Sequence, residues 1–238
     1  MDRFAPIVSD SIFTTSTLFV RSVNAGVILL NQMAKRVRKK TKAELASPKF
    51  RDRSKHQAAV LMDAYHVCDK LSKKRHQFIL DIADDHWMHR FENMDDYTAF
   101  NREMQAWVKL RSEFLRDAIK PLELHCFTCN WNAGRGLKPL LKIIKNKNCD
   151  AGTALRLYWI NDPYYYQEYA TIGECPYEEE REMLRILRAV ERRFKAKDFA
   201  TKRIPFDPTP WIEDKYIDSA VHVMPDVMRE PIKARKRR

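Results

Sequence analysis

Glycine is scarce in this sequence, with only five in 238 residues, and that scarcity argues against two large enzyme classes. Rossmann and P-loop folds need glycines where the backbone approaches phosphate, and here only Gly134 and Gly136 stand close together. Strand signals are nearly absent too: no run of alternating β-branched residues is bounded by a hairpin dipeptide such as Asn-Gly or Asp-Gly. The five cysteines, Cys68, Cys126, Cys129, Cys149 and Cys175, are too few and too scattered for a small secreted disulfide scaffold. A reducing, cytoplasmic location is therefore expected. Long apolar runs are also missing. The most apolar stretch, Ile12 to Leu30, is interrupted by Arg21, Ser22 and Asn24, so no transmembrane helix is expected. Met1-Asp2-Arg3 lacks the basic start of a secretory signal.

What is present is a 45% hydrophobic share, enough to fill a sizeable core, and a formal net charge of +12. Wholesale disorder is thereby excluded. The charge is unevenly placed. Residues 35 to 55 hold ten basic side chains (Lys35, Arg36, Arg38, Lys39, Lys40, Lys42, Lys49, Arg51, Arg53 and Lys55) against Glu44 and Asp52. The end of the chain adds Arg229, Lys233, Arg235, Lys236, Arg237 and Arg238 against Glu230. The remaining residues are close to neutral. Two basic arms of this kind attract phosphate backbones, anionic lipid or an acidic protein face through a term that salt weakens.

Periodicity predicts helices almost throughout. Phe19, Val23, Leu30, Ala34 and Val37 form an amphipathic stripe that runs into the first basic segment. Ser54 and Gln57 make a capping box for a long helix through Leu61, Tyr65, Cys68 and Leu71, with the period continuing to about Phe91. Asn93 to Asp96 offer caps for a helix carrying Tyr97, Phe100, Met104, Trp107, Val108, Leu115 and Ile119, which Pro121 bends or ends. Short helices follow at Leu122 to Cys129, Leu137 to Lys145, and from an Asp150 cap to Ile160. The last is almost uniformly apolar and must be buried between neighbours. A final helix starts with Glu178-Glu179-Glu180 and ends with Arg192, Arg193 and Lys195, a charge order that suits the helix dipole. Residues 200 to 238 hold five prolines and no period, and read as an extended wrapping segment anchored by Trp211 and Tyr216. The predicted fold is all-α, an irregular helical bundle or short stacked helix pairs. It divides into an N-terminal helix and basic linker (1–53), a helical domain (54–199) and a Pro-rich basic tail (200–238).

Within that domain, the stretch His125-Cys126-Phe127-Thr128-Cys129-Asn130-Trp131-Asn132-Ala133-Gly134 is followed by Asn148-Cys149-Asp150-Ala151-Gly152-Thr153-Ala154-Leu155 and Tyr158-Trp159. Over roughly residues 125–170 this order resembles a small bacterial domain-of-unknown-function family, the one numbered 4274. Its pattern is an Asn-Trp-Asp/Asn turn, a short helix, a Cys-Asp pair and an Ala-Leu helix ending in aromatics. Arg135 and Gly136 stand where acidic or apolar residues are expected. The resemblance implies a helical module often encoded near bacterial toxin systems, hence an immunity or interaction protein, and brings no catalytic residues with it.

Candidate chemistry is sparse. Cys126-x-x-Cys129 with His125, Cys149 and Cys175 offers thiolates for zinc, but strong zinc ribbons use two close pairs and only one is present, so buried or loop cysteines are the simpler account. His86 and His89, preceded by Asp84-Asp85, have a metal-capable helical spacing, though a His/Asp-rich solvated helix end is the much commoner account. Neither Gly-x-Ser-x-Gly nor His-Glu-x-x-His occurs. No enzyme, metal or cofactor is therefore expected. Two functions remain. The first is a non-enzymatic protein-interaction module of the toxin-immunity type, contacting a protein partner, acidic by charge complementarity, through Trp131, Arg135, Asp150, Tyr164, Tyr165 and Tyr166. The alternative is a nucleic-acid- or ribonucleoprotein-associated protein that runs Lys35, Arg36, Arg38, Lys39, Lys40, Lys42, Arg235, Lys236, Arg237 and Arg238 along phosphates, with the tyrosine run stacking on bases.

Overall fold

The computed structural model describes residues 48–90, 97–118, 120–213 and 220–233. The chain divides into two units, Met1–Lys39 and Lys40–Arg238, and every described residue belongs to the second. The basic segment from Lys35 to Lys42, the N-terminal stripe, Tyr216 and the tail from Arg235 to Arg238 lie outside the described residues. Among the described residues the fold is an all-α, irregular bundle with no strand. The only β pairing there is an isolated antiparallel bridge between Phe206 and Ile232. No helix described is long and apolar enough to cross a membrane.

Helix α1 spans Pro48–His66, six residues ahead of the capping box at Ser54, because Pro48 suits a first turn whose N–H groups have no helical partner. The long helix expected to continue to Phe91 is instead divided. A 3₁₀ turn, Val67–Lys70, leads into extended backbone at Leu71 and Ser72, and the Ser72 hydroxyl caps α2 (Lys73–Asp84) by accepting from the Arg75 N–H at 3.3 Å. Asp85 closes α2 in the left-handed region, at φ 52°. Helix α3 is Tyr97–Asp117 and α4 is Pro121–Asn130, again with proline in the first turn. Helices α5 (Lys138–Lys145), α6 (Ala151–Ile160) and α7 (Glu178–Ala196) follow, close to where periodicity predicted them.

Helix α2 packs on α3 and α4, α4 on α6, and α7 on both α5 and α6. Helix α6 sits between them, buried from Ala151 to Trp159, as a helix apolar on all sides requires. The segment after residue 200 is more than a wrapping. Phe206, Met224 and Met228 belong to the core, and the Met228 carbonyl accepts from Trp159 Nε1 at 2.7 Å. Glu191 of α7 fastens three elements at once: it accepts from Tyr158 of α6 at 2.7 Å and pairs with Arg188 at 3.1 Å and His222 at 2.9 Å.

Candidate functional site

The residues expected to meet a partner are mostly inside. Trp131 is buried, stacked on Phe127 at a centroid distance of 5.3 Å, covered by the Arg111 guanidinium at 5.2 Å, and donates to the Gly136 carbonyl at 2.9 Å. It closes a helix corner rather than forming a contact surface. Arg135 is half-exposed and pairs with Asp85 at 2.5 Å. The same carboxylate, itself buried, accepts from Arg111 at 2.6 Å and from Trp87 Nε1 at 3.1 Å. The turn at Asn132–Gly136 is thereby tied to the end of α2.

Asp150 is fully buried. As the N-cap of α6 it accepts from the Gly152 N–H at 2.8 Å, and its carboxylate also accepts from Thr201 Oγ1 at 2.5 Å and from the N–H groups of Arg203 and Ile204 at 2.8 and 3.3 Å. This one carboxylate therefore clamps the segment Thr201–Ile204 onto the helix start, and that structural role replaces partner contact. Tyr164 and Tyr166 are buried as well. Tyr164 OH accepts from the Glu213 N–H at 2.9 Å, while half-buried Tyr165 shares its hydroxyl with Tyr169 at 3.0 Å and Glu180 at 3.1 Å. The tyrosine rings pack edge-on against one another, so the buried pair offers no platform to a base. Desolvation, helped by the Tyr169 and Glu180 contacts, pushes the Tyr165 phenol up.

The cysteines are grouped differently from the grouping the sequence suggested. Cys149 is buried beside Asp150, its thiol pushed up to about 12 by burial, and Cys175 lies before Pro176; neither joins the Cys126–Cys129 pair. Cys68, from the 3₁₀ turn after α1, joins it instead. The ligand atoms of Cys68, His125 and Cys129 all lie within 4.8 Å of one another, a group that the Cys126 sulfur does not join; Cys126 and Cys129 together push the Cys68 thiol up. His125 is fully buried, with Nδ1 at 3.0 Å from Thr153 Oγ1 and Nε2 at 2.7 Å from the Ala64 carbonyl and 3.4 Å from Cys129 Sγ. The hydrogen bond from Cys68 pulls the Cys129 thiol well below its ordinary range, aided by the nearby Arg156 charge and by His125. No spacing rule could have found Cys68, which lies 58 residues before Cys126. His86 pairs with Asp84 at 3.4 Å, and the side chain of His89 lies outside the described residues.

Two surface features remain. On α3, Tyr97 (73% exposed), Met104 (36%) and Val108 (49%) stand seven and four residues apart, which places them on one helix face. Leu115, further along the same face, is buried. Between the end of α3 and α5 runs an open groove of about 550 Å³ that contains Arg116, Lys142, Lys145 and Lys147. Arg116 is neutralised by Asp117 at 2.7 Å, which leaves three lysines. Asn146 and Asn148 shape its floor by donating to the Ala118 carbonyl at 3.1 and 3.5 Å.

The buried clamp at Asp150, the Trp131 corner and the apolar helix between them together define an all-α module. Residues 120–195 match the family model described as Domain of unknown function (DUF4274), the family anticipated from the Asn-Trp-Asn and Cys-Asp stretches. The match runs from the start of α4 into the last turn of α7. Cys68 and the Thr201–Ile204 segment, which complete its two buried polar centres, lie outside it. No curated protein and no solved structure shows significant similarity to the chain.

Proposed function

We propose that the protein is a non-enzymatic protein-interaction module of the immunity type, which binds a partner protein and blocks it by covering it. The supporting observation is the row Tyr97, Met104 and Val108 on α3. Exposed apolar side chains aligned on one helix face are a common form of docking surface, because burying them against a partner removes apolar area from water at about 25 cal/mol per Å². Tyrosine at one end is a residue type that anchors such contacts. The test is affinity purification of the full chain from its native cell at two salt concentrations, with and without nuclease, alongside Val108→Asp. A stoichiometric protein that survives salt and nuclease with the wild-type chain and is lost with Val108→Asp is expected. Retention of that protein by Val108→Asp would overturn this surface.

The alternative, a nucleic-acid- or ribonucleoprotein-associated protein, draws support from the lysine groove as well as from the two basic arms. Three lysines on the phosphates of a single strand predict a log affinity that falls with log salt at a slope of about −2. Binding of single-stranded RNA that weakens at this slope, and weakens further in Lys142→Glu/Lys145→Glu, would favour it over the first reading.

A further inference from the structure

The buried thiol cluster is used by neither reading, and its composition is that of a metal site. Helix α4 carries His125, Cys126 and Cys129 at spacings of one, three and four residues, so one face and its flank present an imidazole and two thiols together. Cys68 arrives opposite them on the 3₁₀ turn that ends α1. We propose that Cys68, Cys126, Cys129 and His125 form a structural zinc site of the Cys₃His type that joins α1 to α4.

Three features carry the assignment. The donor set is soft: Cys68, Cys129 and His125 already stand together, and Cys126, next to His125 on α4, supplies the fourth position of tetrahedral zinc once its side chain turns toward them, with ligand bonds of about 2.3 Å to sulfur and about 2.0–2.1 Å to nitrogen. For the first three the separations fit with a small contraction, since ligand atoms around such an ion lie about 3.5–3.8 Å apart. His125 Nε2 and Cys129 Sγ are already at 3.4 Å, and Cys68, His125 and Cys129 all fall within 4.8 Å. The imidazole also has the outer partner a zinc ligand needs. Thr153 Oγ1 holds Nδ1 at 3.0 Å and fixes the ring; Nε2, which donates to the Ala64 carbonyl at 2.7 Å in the free protein, has to give up that proton to ligate, with Nδ1–H then donating to Thr153. On binding, Nε2 exchanges the Ala64 carbonyl for the ion.

Charge gives an independent argument. Zinc with three thiolates and a neutral imidazole carries one net negative charge, which is costly to bury without a counter-charge. Arg156, on α6, which packs against α4, is itself buried and has Nε and Nη1 without a hydrogen-bond partner among the described residues. An arginine in that position neutralises the occupied site, and a charged zinc–thiolate centre gives the buried guanidinium the partner it otherwise lacks.

The experiment uses the full chain, purified without chelator from zinc-supplemented cells. About one zinc per chain is expected. Replacement of zinc by cobalt(II) should give the thiolate-to-metal charge-transfer band and the intense visible bands of a tetrahedral site. Cys68→Ser and Cys129→Ser should lose the metal, while Cys149→Ser and Cys175→Ser keep it. Thr153→Val should weaken zinc binding about 10- to 100-fold with the helical signal retained. The cobalt spectrum of the wild-type chain stands even if a cysteine variant fails to fold. Metal-free protein that takes up no cobalt, with all five thiols free or with a disulfide between Cys68 and the α4 pair, would overturn the proposal. So would metal that persists in Cys68→Ser but not in Cys149→Ser.

Discussion

Replacing Gly152 by alanine tests the clamp at the start of α6. A Cβ at this position would fall 2.8 Å from the Ile204 carbonyl carbon and closer still to its oxygen. Both are backbone atoms, so the segment would have to retreat by more than about 1 Å. Such a movement carries the Arg203 and Ile204 N–H groups, now 2.8 and 3.3 Å from the Asp150 carboxylate, beyond useful reach. Hydrogen bonds to a charged group contribute about 1.5–3 kcal/mol each, so losing two costs roughly 3–6 kcal/mol. Alanine in a helix recovers only about 0.5–1 kcal/mol over glycine. The expected net loss is roughly 2–5 kcal/mol, or about 4–20 °C in the melting midpoint of a chain this size. Urea and thermal unfolding followed by circular dichroism would measure it, with Gly173→Ala as control, because the nearest atom to a Cβ there is an ordinary 3.9 Å away. An unchanged or raised midpoint for Gly152→Ala would refute the reasoning, since it would mean that the Thr201–Ile204 segment does not press on the helix.

Other consequences follow from the buried charges. Asp85→Ala removes the partner of Arg111, whose side chain is only 12% exposed, and should cost about 3–5 kcal/mol in urea unfolding. Arg135→Ala, at the exposed edge of the same carboxylate, should cost under about 1 kcal/mol. The Cys149 thiol is held up to about 12 in the folded protein by burial, while an unfolded thiol ionises near about 8.5. The unfolded state therefore loses its proton first, and stability that is constant below about pH 8.5 should fall by about 1.4 kcal/mol per pH unit as pH rises towards 12. Unfolding measured from pH 7.5 to 10.5 should show a shallower fall in Cys149→Ala; an identical pH dependence in the two proteins would contradict this. Val108→Asp, at an exposed site, should leave the unfolding midpoint within about 0.5 kcal/mol of wild type.

Much of the helical layout was legible because it rests on local rules. Helices α5, α6 and α7 follow from apolar period, the Asp150 cap and the charge order of the last helix. The apolar period through Cys68 to Phe91 survives the break at Leu71–Ser72, so periodicity alone predicts one helix where there are two. Ser72 caps a new helix there, and a serine inside a periodic run does not announce itself as a cap. At the site, Trp131, Asp150 and the tyrosines were legible as special positions but not as buried ones. Aromatic and acidic side chains serve interfaces and cores alike, and only their neighbours decide which. For Asp150 those neighbours lie 51–54 residues away.

Local interactions and composition are enough for the all-α class, the order of the later helices, the resemblance over the Asn-Trp-Asn and Cys-Asp stretches, and the concentration of positive charge in two segments. All of these depend on interactions within a few turns or on composition. Packing between distant segments sets the rest: the proline-rich segment after residue 200 joins the core, Asp150 clamps it, Tyr97, Met104 and Val108 are exposed, and Cys68 meets His125 and Cys129. Each of these depends on pairs far apart in the chain, where loop closure and packing of several helices set the partner and no spacing along the sequence encodes it.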